Sequence, residues 1–376
     1  MNSRRRISRC AVVAVSSLLL LGWNGLGVVV VAEPSLAGAV AETKALIRQE
    51  IVPKTPGLSV SVARDGKIIW SEGFGFANLE QQKPVTTQTL FRVGSISKSL
   101  TAAGLMLLVE KGKLDLDADI RRYLPDFPDK GHLITTRQLA GHLAGIRHYK
   151  SNEFLLDKPF ASVADSLKIF ENDPLLSTPG EQYFYSTFGW VLISRVMEVA
   201  AREDFLPYMQ KSVFAPLGLT NTMPDYADRE VPQRTQFYDV KPGGGFVPSP
   251  VVDCSDKWAG GGFLSTPEDL VHFGAALLHS GFLQRESLRT MFISQKTTAG
   301  KVTGYGVGWF VTADAQGHPV FWHTGGSVGG TSVLLLHPQS RLVLAMCSNC
   351  TTVPFKKENW EAVAEIFSAF VPMATN

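Results

Sequence analysis

The sequence predicts a mixed α/β (α+β) fold: one antiparallel sheet built from both chain ends, flanked by terminal helices, with a mainly helical lobe inserted between. Three observations predict it. Alternating apolar residues near residue 60 turn back at Asp65-Gly66, which is a hairpin signal. Strand-like runs separated by turn residues recur after residue 300. The stretch between reads as helices and loops, with no internal repeat and no low-complexity linker.

Residues 38–51 form the first expected helix, with Val40, Leu46 and Ile47 on one side. Leu58, Val60 and Val62 then alternate with small residues, and Ile68, Ile69 and Trp70 return after the turn. Phe91 to Gly94 reads as a short extended lead-in to a helix whose apolar face carries Leu100, Ala103, Leu107 and Leu108 and which stops near Lys111-Gly112. A second helix follows Tyr185. A third starts at Thr266-Pro267-Glu268-Asp269, where Thr266 can cap, Pro267 suits the first helical position and Asp269 can reach back. Strands are expected over 305–312, 319–323, 330–336 and 342–348, and a last helix from Lys356 to Phe370. This gives a sheet lobe of about 38–90 and 300–376, and a helical lobe of about 91–299. The glycine runs at 243–245 and 260–262 follow no strand-to-helix phosphate pattern and are expected to be turns.

Composition narrows the classes. Hydrophobic residues make up 45% and charged residues 19%, enough apolar material for a large core in 376 residues. A net charge of +2, with no basic stripe past the N-terminus, gives no nucleic-acid partner. Arg4, Arg5, Arg6 and Arg9 precede an uncharged run from Cys10 to Ala32. That pattern predicts an export signal ending at Val30-Val31-Ala32, hence a periplasmic or extracellular protein, with an uncleaved membrane tether through residues 10–32 as the alternative. Residues 33–376 are then one catalytic domain. Cys254, Cys347 and Cys350 are too few for a disulfide framework. Cys347 and Cys350 are expected as half-buried structural thiols, with a redox pair or small bridge as the other reading. No metal or other cofactor is expected.

The chemistry centres on Ser95-Ile96-Ser97-Lys98. Serine and lysine three apart share one helix face. A desolvated lysine can accept the serine proton, activating a nucleophile without a Ser-His-Asp triad. About one such spacing is expected by chance in a chain of this composition, and by itself it equally describes a Ser cap with a solvated lysine. Two further segments follow in order: Tyr185 in YSTFGW at 185–190, opening a helix, and His323-Thr324-Gly325 ending a strand. Ser95 would sit at a helix N-terminus, where the dipole favours developing negative charge. His142 and His148 are expected to serve structural hydrogen bonds, Trp70 and Trp190 to be core or cleft wall, and Trp258 to lie nearest a substrate.

These segments, with KGKLDLD at 111–117, ITTRQLAGHLAGIRHY at 134–149, KWAGGGFLST at 257–266 and HTGGSVGG at 323–330, resemble the serine β-lactamase/penicillin-binding superfamily in its class C-like branch. More narrowly they resemble the mitochondrial β-lactamase-like serine proteases and their bacterial relatives, over about residues 40–370. The resemblance implies a β-lactamase/transpeptidase-like fold and an acyl-enzyme on Ser95. Lys98 would ease deprotonation of Ser95, and Tyr185 would act as general base or proton relay. His323 stands where many relatives have lysine. The N–H groups of Ser95 and Gly326 would form the oxyanion hole, and Thr187, Thr324, Gly325 and Trp258 would contact substrate. Two departures stand out: Thr187 replaces the usual asparagine, and histidine at 323 titrates near neutrality, so activity should depend on pH there. Both count against efficient β-lactam hydrolysis and are compatible with peptide or ester substrates. The resulting expectation is a cofactor-independent serine peptidase. An esterase or penicillin-recognising D-peptidase, and a catalytically silent or self-assembling scaffold, are the other readings; self-association is left open.

Overall fold

The computed structural model describes residues 35–279, 281–351 and 354–369. The expected export or anchor segment, residues 1–32, lies outside the described residues. The chain runs α1 (Leu36–Leu46), β1 (Gly57–Arg64), β2 (Lys67–Asn78), β3 (Lys83–Pro84) and β4 (Phe91–Arg92). The inserted lobe follows as α2 (Ile96–Glu110), α3 (Thr136–Ala140), α4 (Val163–Leu167), α5 (Thr187–Ala201), α6 (Phe205–Met209), β5 (Met223–Pro224), β6 (Tyr238–Val240), β7 (Phe246–Pro248), α7 (Trp258–Gly261), β8 (Phe263–Ser265), α8 (Pro267–His279) and α9 (Arg285–Phe292). The chain then returns to the sheet as β9 (Phe310–Ala313), β10 (Pro319–Ser327), β11 (Gly330–His337) and β12 (Leu342–Ser348), and α10 (Lys357–Ala369) follows.

Seven strands order as β3-β2-β1-β12-β11-β10-β9. The two chain ends meet where β1 pairs antiparallel with β12, from Leu58 opposite Ser348 to Arg64 opposite Leu342. Period-two alternation divides the sheet's side chains between two cores. Val333, Leu335, Leu344 and Met346 face α1 and α10, with Trp360, Val363 and Phe367. Leu334, Leu336, Val343 and Ala345 face the inserted lobe, with Leu270 and Phe273 of α8.

Four local expectations are corrected. The strand expected from residue 305 starts only at Phe310, because Gly306 N–H bonds Trp309 O and folds 305–309 into a turn. Thr266 does cap α8, accepting from Asp269 N at 3.1 Å. Asp269 does not reach back; its carboxylate accepts from Asn221 N and Thr222 Oγ1, both at 2.8 Å. Nearly every residue of α2 is buried, not one face of it, because the helix runs through the core with the sheet on one side and α5 and α7 on the other. Cys347 and Cys350 are fully buried, not half-buried.

Candidate active site

Ser95 begins α2 directly after β4. Gly94 turns the chain with φ of +49°, a conformation that favours glycine. A Cβ there would also lie 2.7 Å from both N and O of Gly326, so the glycine lets the Ser95 loop lie against β10. The Ser95 hydroxyl makes no capping bond. It faces Lys98 instead, with Nζ 2.9 Å from Oγ.

Lys98 is wholly buried. Its Nζ also reaches Thr187 Oγ1 at 3.1 Å and Gly260 O at 2.6 Å. Burial drives its pKa well below the ordinary lysine value. A neutral amine has two N–H donors and one lone pair. Gly260 O can only accept, so two donors toward Gly260 O and Thr187 leave the lone pair for the Ser95 O–H. Gly260 is needed here because a Cβ would lie 2.5 Å from Thr187 Cγ2.

Tyr185 lines the same cleft, with its ring centroid 4.9 Å from Lys98 Nζ. Burial raises its phenol pKa, and a hydrogen bond with Ser95 partly offsets that. Tyr185 therefore holds its proton at neutral pH and can pass it on. This favours Lys98 over a tyrosinate as the base.

His323, expected to titrate near neutrality, is instead buried and neutral there, although it borders the cleft. Its Nδ1 lies 2.6 Å from Thr324 O, an acceptor only, so Nδ1 carries the hydrogen. Nε2 then accepts from Tyr305 Oη at 2.8 Å. Burial lowers its pKa to about 3. His142 and His148 serve as expected: their Nδ1 atoms accept from Ser186 N at 3.1 Å and Thr187 N at 3.2 Å, where α5 begins. Burial holds both rings neutral, His148 at about 4.

Both oxyanion candidates, Ser95 and Gly326, line the cleft. Ser327 and Gly330 flank a two-residue turn, and register alternation makes Gly326 opposite Thr331 a pair not bonded to each other. The Gly326 N–H therefore points away from β11. The paired stretch of β9 ends opposite Trp322, so this edge of β10 is open to the cleft. Ser95, Tyr185, His323, Thr324, Gly326 and Ser327 line that cleft, of about 360 Å³.

Of the expected substrate contacts, Thr187 has another partner, and Gly325 and Trp258 are corrected. Thr187 turns its hydroxyl to Lys98. Gly325 faces inward, where a Cβ would collide with Val93 O. Trp258 packs edge-on against Tyr226 in the core, with ring centroids 5.3 Å apart. Lys257, beside it in sequence, borders Ser95 instead. Tyr305 and Lys257 were not singled out. No local pattern marks Tyr305, while Lys257 lies within the quoted KWAGGGFLST string. Among the described residues, no group of three or more His, Cys, Asp or Glu side chains could hold a metal ion.

A serine paired with a buried amine, at the junction of an antiparallel sheet and a helical lobe, defines a β-lactamase-fold serine hydrolase. The chain belongs to the beta-lactamase family, whose model matches residues 44–367. It is 33% identical over 378 residues to serine beta-lactamase-like protein LACTB, mitochondrial, of Homo sapiens, covering 76% of this chain and 69% of that protein. Penicillin-binding protein 4* of Bacillus subtilis is 28% identical, with 77% and 67% covered. The octameric penicillin-binding protein homologue from Pyrococcus abyssi superposes with a TM-score of 0.76 at 25% identity, covering 87% of this chain and 77% of that one.

Proposed function

We propose that this chain is a serine peptidase that forms an acyl-enzyme on Ser95. The carrying observation is Lys98, fully buried and 2.9 Å from Ser95 Oγ. In this reading neutral Lys98 takes the Ser95 proton as Oγ attacks the substrate carbonyl. The N–H groups of Ser95 and Gly326 hold the resulting oxyanion. Tyr185 gives its proton to the leaving amine and regains one from Lys98. Water then attacks the ester by the same relay and frees the acid. The open edge of β10 beside Thr324 supports a peptide substrate, since an extended chain can pair with it.

Esterase or D-peptidase action on the same serine is the second reading, favoured by the relative named penicillin-binding protein 4*. Thr187, engaged with Lys98, weighs against lactam recognition. We also propose an exported or N-terminally tethered protein, on the sequence of residues 1–32; no helix among the described residues is long and apolar enough to cross a membrane. The octameric Pyrococcus structure makes self-association worth measuring by light scattering.

A fluorophosphonate probe should label the wild type, and Ser95→Ala should abolish labelling. The same pair screened against peptide and ester libraries should show turnover of peptides only in the wild type. Wild-type protein that neither labels nor turns over any substrate sinks the hydrolase reading.

A further inference from the structure

We propose that Lys257 forms a carboxylate-binding subsite on the inner side of Ser95, a reading that rests on the hydrolase function above. Lys257 immediately precedes α7, and its side chain is 4% exposed. It lines a cavity of about 60 Å³ together with Ser95, Thr187, Gly260 and Gly326. This cavity shares Ser95 and Gly326 with the outer cleft but lies away from His323 and Thr324, which line only the latter.

The two buried lysines at this site differ. Lys98 places Nζ in three hydrogen bonds. Lys257 Nζ has one oxygen partner among the described residues, Asp256 Oδ1 at 3.1 Å. An ammonium carries three N–H groups, so the ion pair with Asp256 leaves donors without an acceptor oxygen in a place water reaches poorly, which is costly unless something accepts from them. Aromatic walls make the site drier: the Tyr149 and Phe154 ring centroids lie 5.8 Å and 6.0 Å from Nζ.

An ammonium seeking acceptors selects an anion or a strong acceptor oxygen. The cavity has room for roughly two water-sized groups, which matches the two oxygens of a carboxylate. Asp256 offsets part of the positive charge, so directed N–H donation, not net charge, is what the subsite offers. Two sources can supply the carboxylate: an acidic side chain in the acyl part of a substrate, or a free terminal carboxylate.

Binding to the Ser95→Ala protein, measured by calorimetry, separates them without turnover. N-acetyl-aspartate amide is compared with N-acetyl-asparagine amide, and N-acetyl-alanine with its amide. The carboxylate member of one pair should bind roughly tenfold tighter or more, as expected for charge-assisted hydrogen bonds. Which pair shows the preference names the source. The ratio should fall to about one in Lys257→Met, and also in Asp256→Asn/Lys257→Met, which removes both charges and guards against a folding defect from a lone buried carboxylate. Equal binding within both pairs, or a ratio that survives both variants, overturns the proposal. A carboxylate preference that depends on Lys257 in a protein that no fluorophosphonate labels would leave the subsite standing and fail the hydrolase reading alone.

Discussion

An ordinary lysine is protonated near neutrality and cannot accept a proton from serine. Burial changes that at Lys98, whose folded pKa is well below the ordinary value. In the proposed mechanism the active form is the free base, so kcat/KM should rise with pH through the lowered Lys98 pKa and fall only above the ordinary tyrosine range, where Tyr185 ionises. Lys98→Met should lose about 10²–10⁴-fold in kcat/KM and the acid limb with it; an unchanged limb would assign it to another group. His323 makes the opposite kind of contribution. Its folded pKa of about 3 lies below the ordinary 6.5, so the unfolded chain binds a proton first as pH falls. Stability from keeping this ring neutral is therefore full above about pH 6.5 and is lost progressively toward pH 3, by a few kcal/mol. Thermal melts across that range should show a shallower slope in His323→Gln than in wild type, with the acid limb of kcat/KM staying where Lys98 sets it. A shift of that limb would restore His323 as a titrating site residue.

At the scale of elements, the site depends on two joints: β4 into α2, and the open edge of β10. Gly94 serves both, through its φ of +49° and its approach to Gly326. Gly94→Ala should cost about 2 kcal/mol or more and reduce kcat/KM by displacing the Ser95 and Gly326 N–H groups. Gly66→Ala is the matched comparison. It also has positive φ, at +79°, but nothing within 4 Å of the added Cβ, so it should cost about 1 kcal/mol and leave kcat/KM alone. Equal effects would show that strain alone, not the close approach, decides. Local rules made the β1–β2 hairpin, the stop at Gly112 and the Thr266 cap legible, because each is dictated by neighbours a few residues apart. They failed for Asp269 and for 305–309, where partners distant in sequence compete: Asn221 and Thr222 take the Asp269 carboxylate, while Gln295 N–H takes the Tyr305 carbonyl and Met291 O the Val307 N–H.

Over the whole molecule, the sheet is joined near its middle by pairing the first long strand with the last, so the sheet that carries β10 is built from strands far apart in sequence. Phe367 of α10 is fully buried and stacks on Trp70 with centroids 5.7 Å apart. Phe367→Ala should lower stability by about 3–5 kcal/mol in denaturant melts while sparing the pH profile of surviving enzyme. A loss under about 1 kcal/mol would mean that α10 merely lies on the sheet. From the sequence alone came the fold class, the strand pairing of the two ends and the order Ser95, Lys98, Tyr185, His323, because hydrophobic period, turn residues and motif spacing are local quantities. The tertiary structure alone decided the state of each side chain. Burial lowers the Lys98 pKa and makes His323 a neutral acceptor, engages Thr187 with Lys98, turns Gly325 inward, and leaves Lys257 beside Ser95 with Asp256 as its charge partner. Desolvation depends on what the rest of the chain packs around a residue, and no tetrapeptide carries that information.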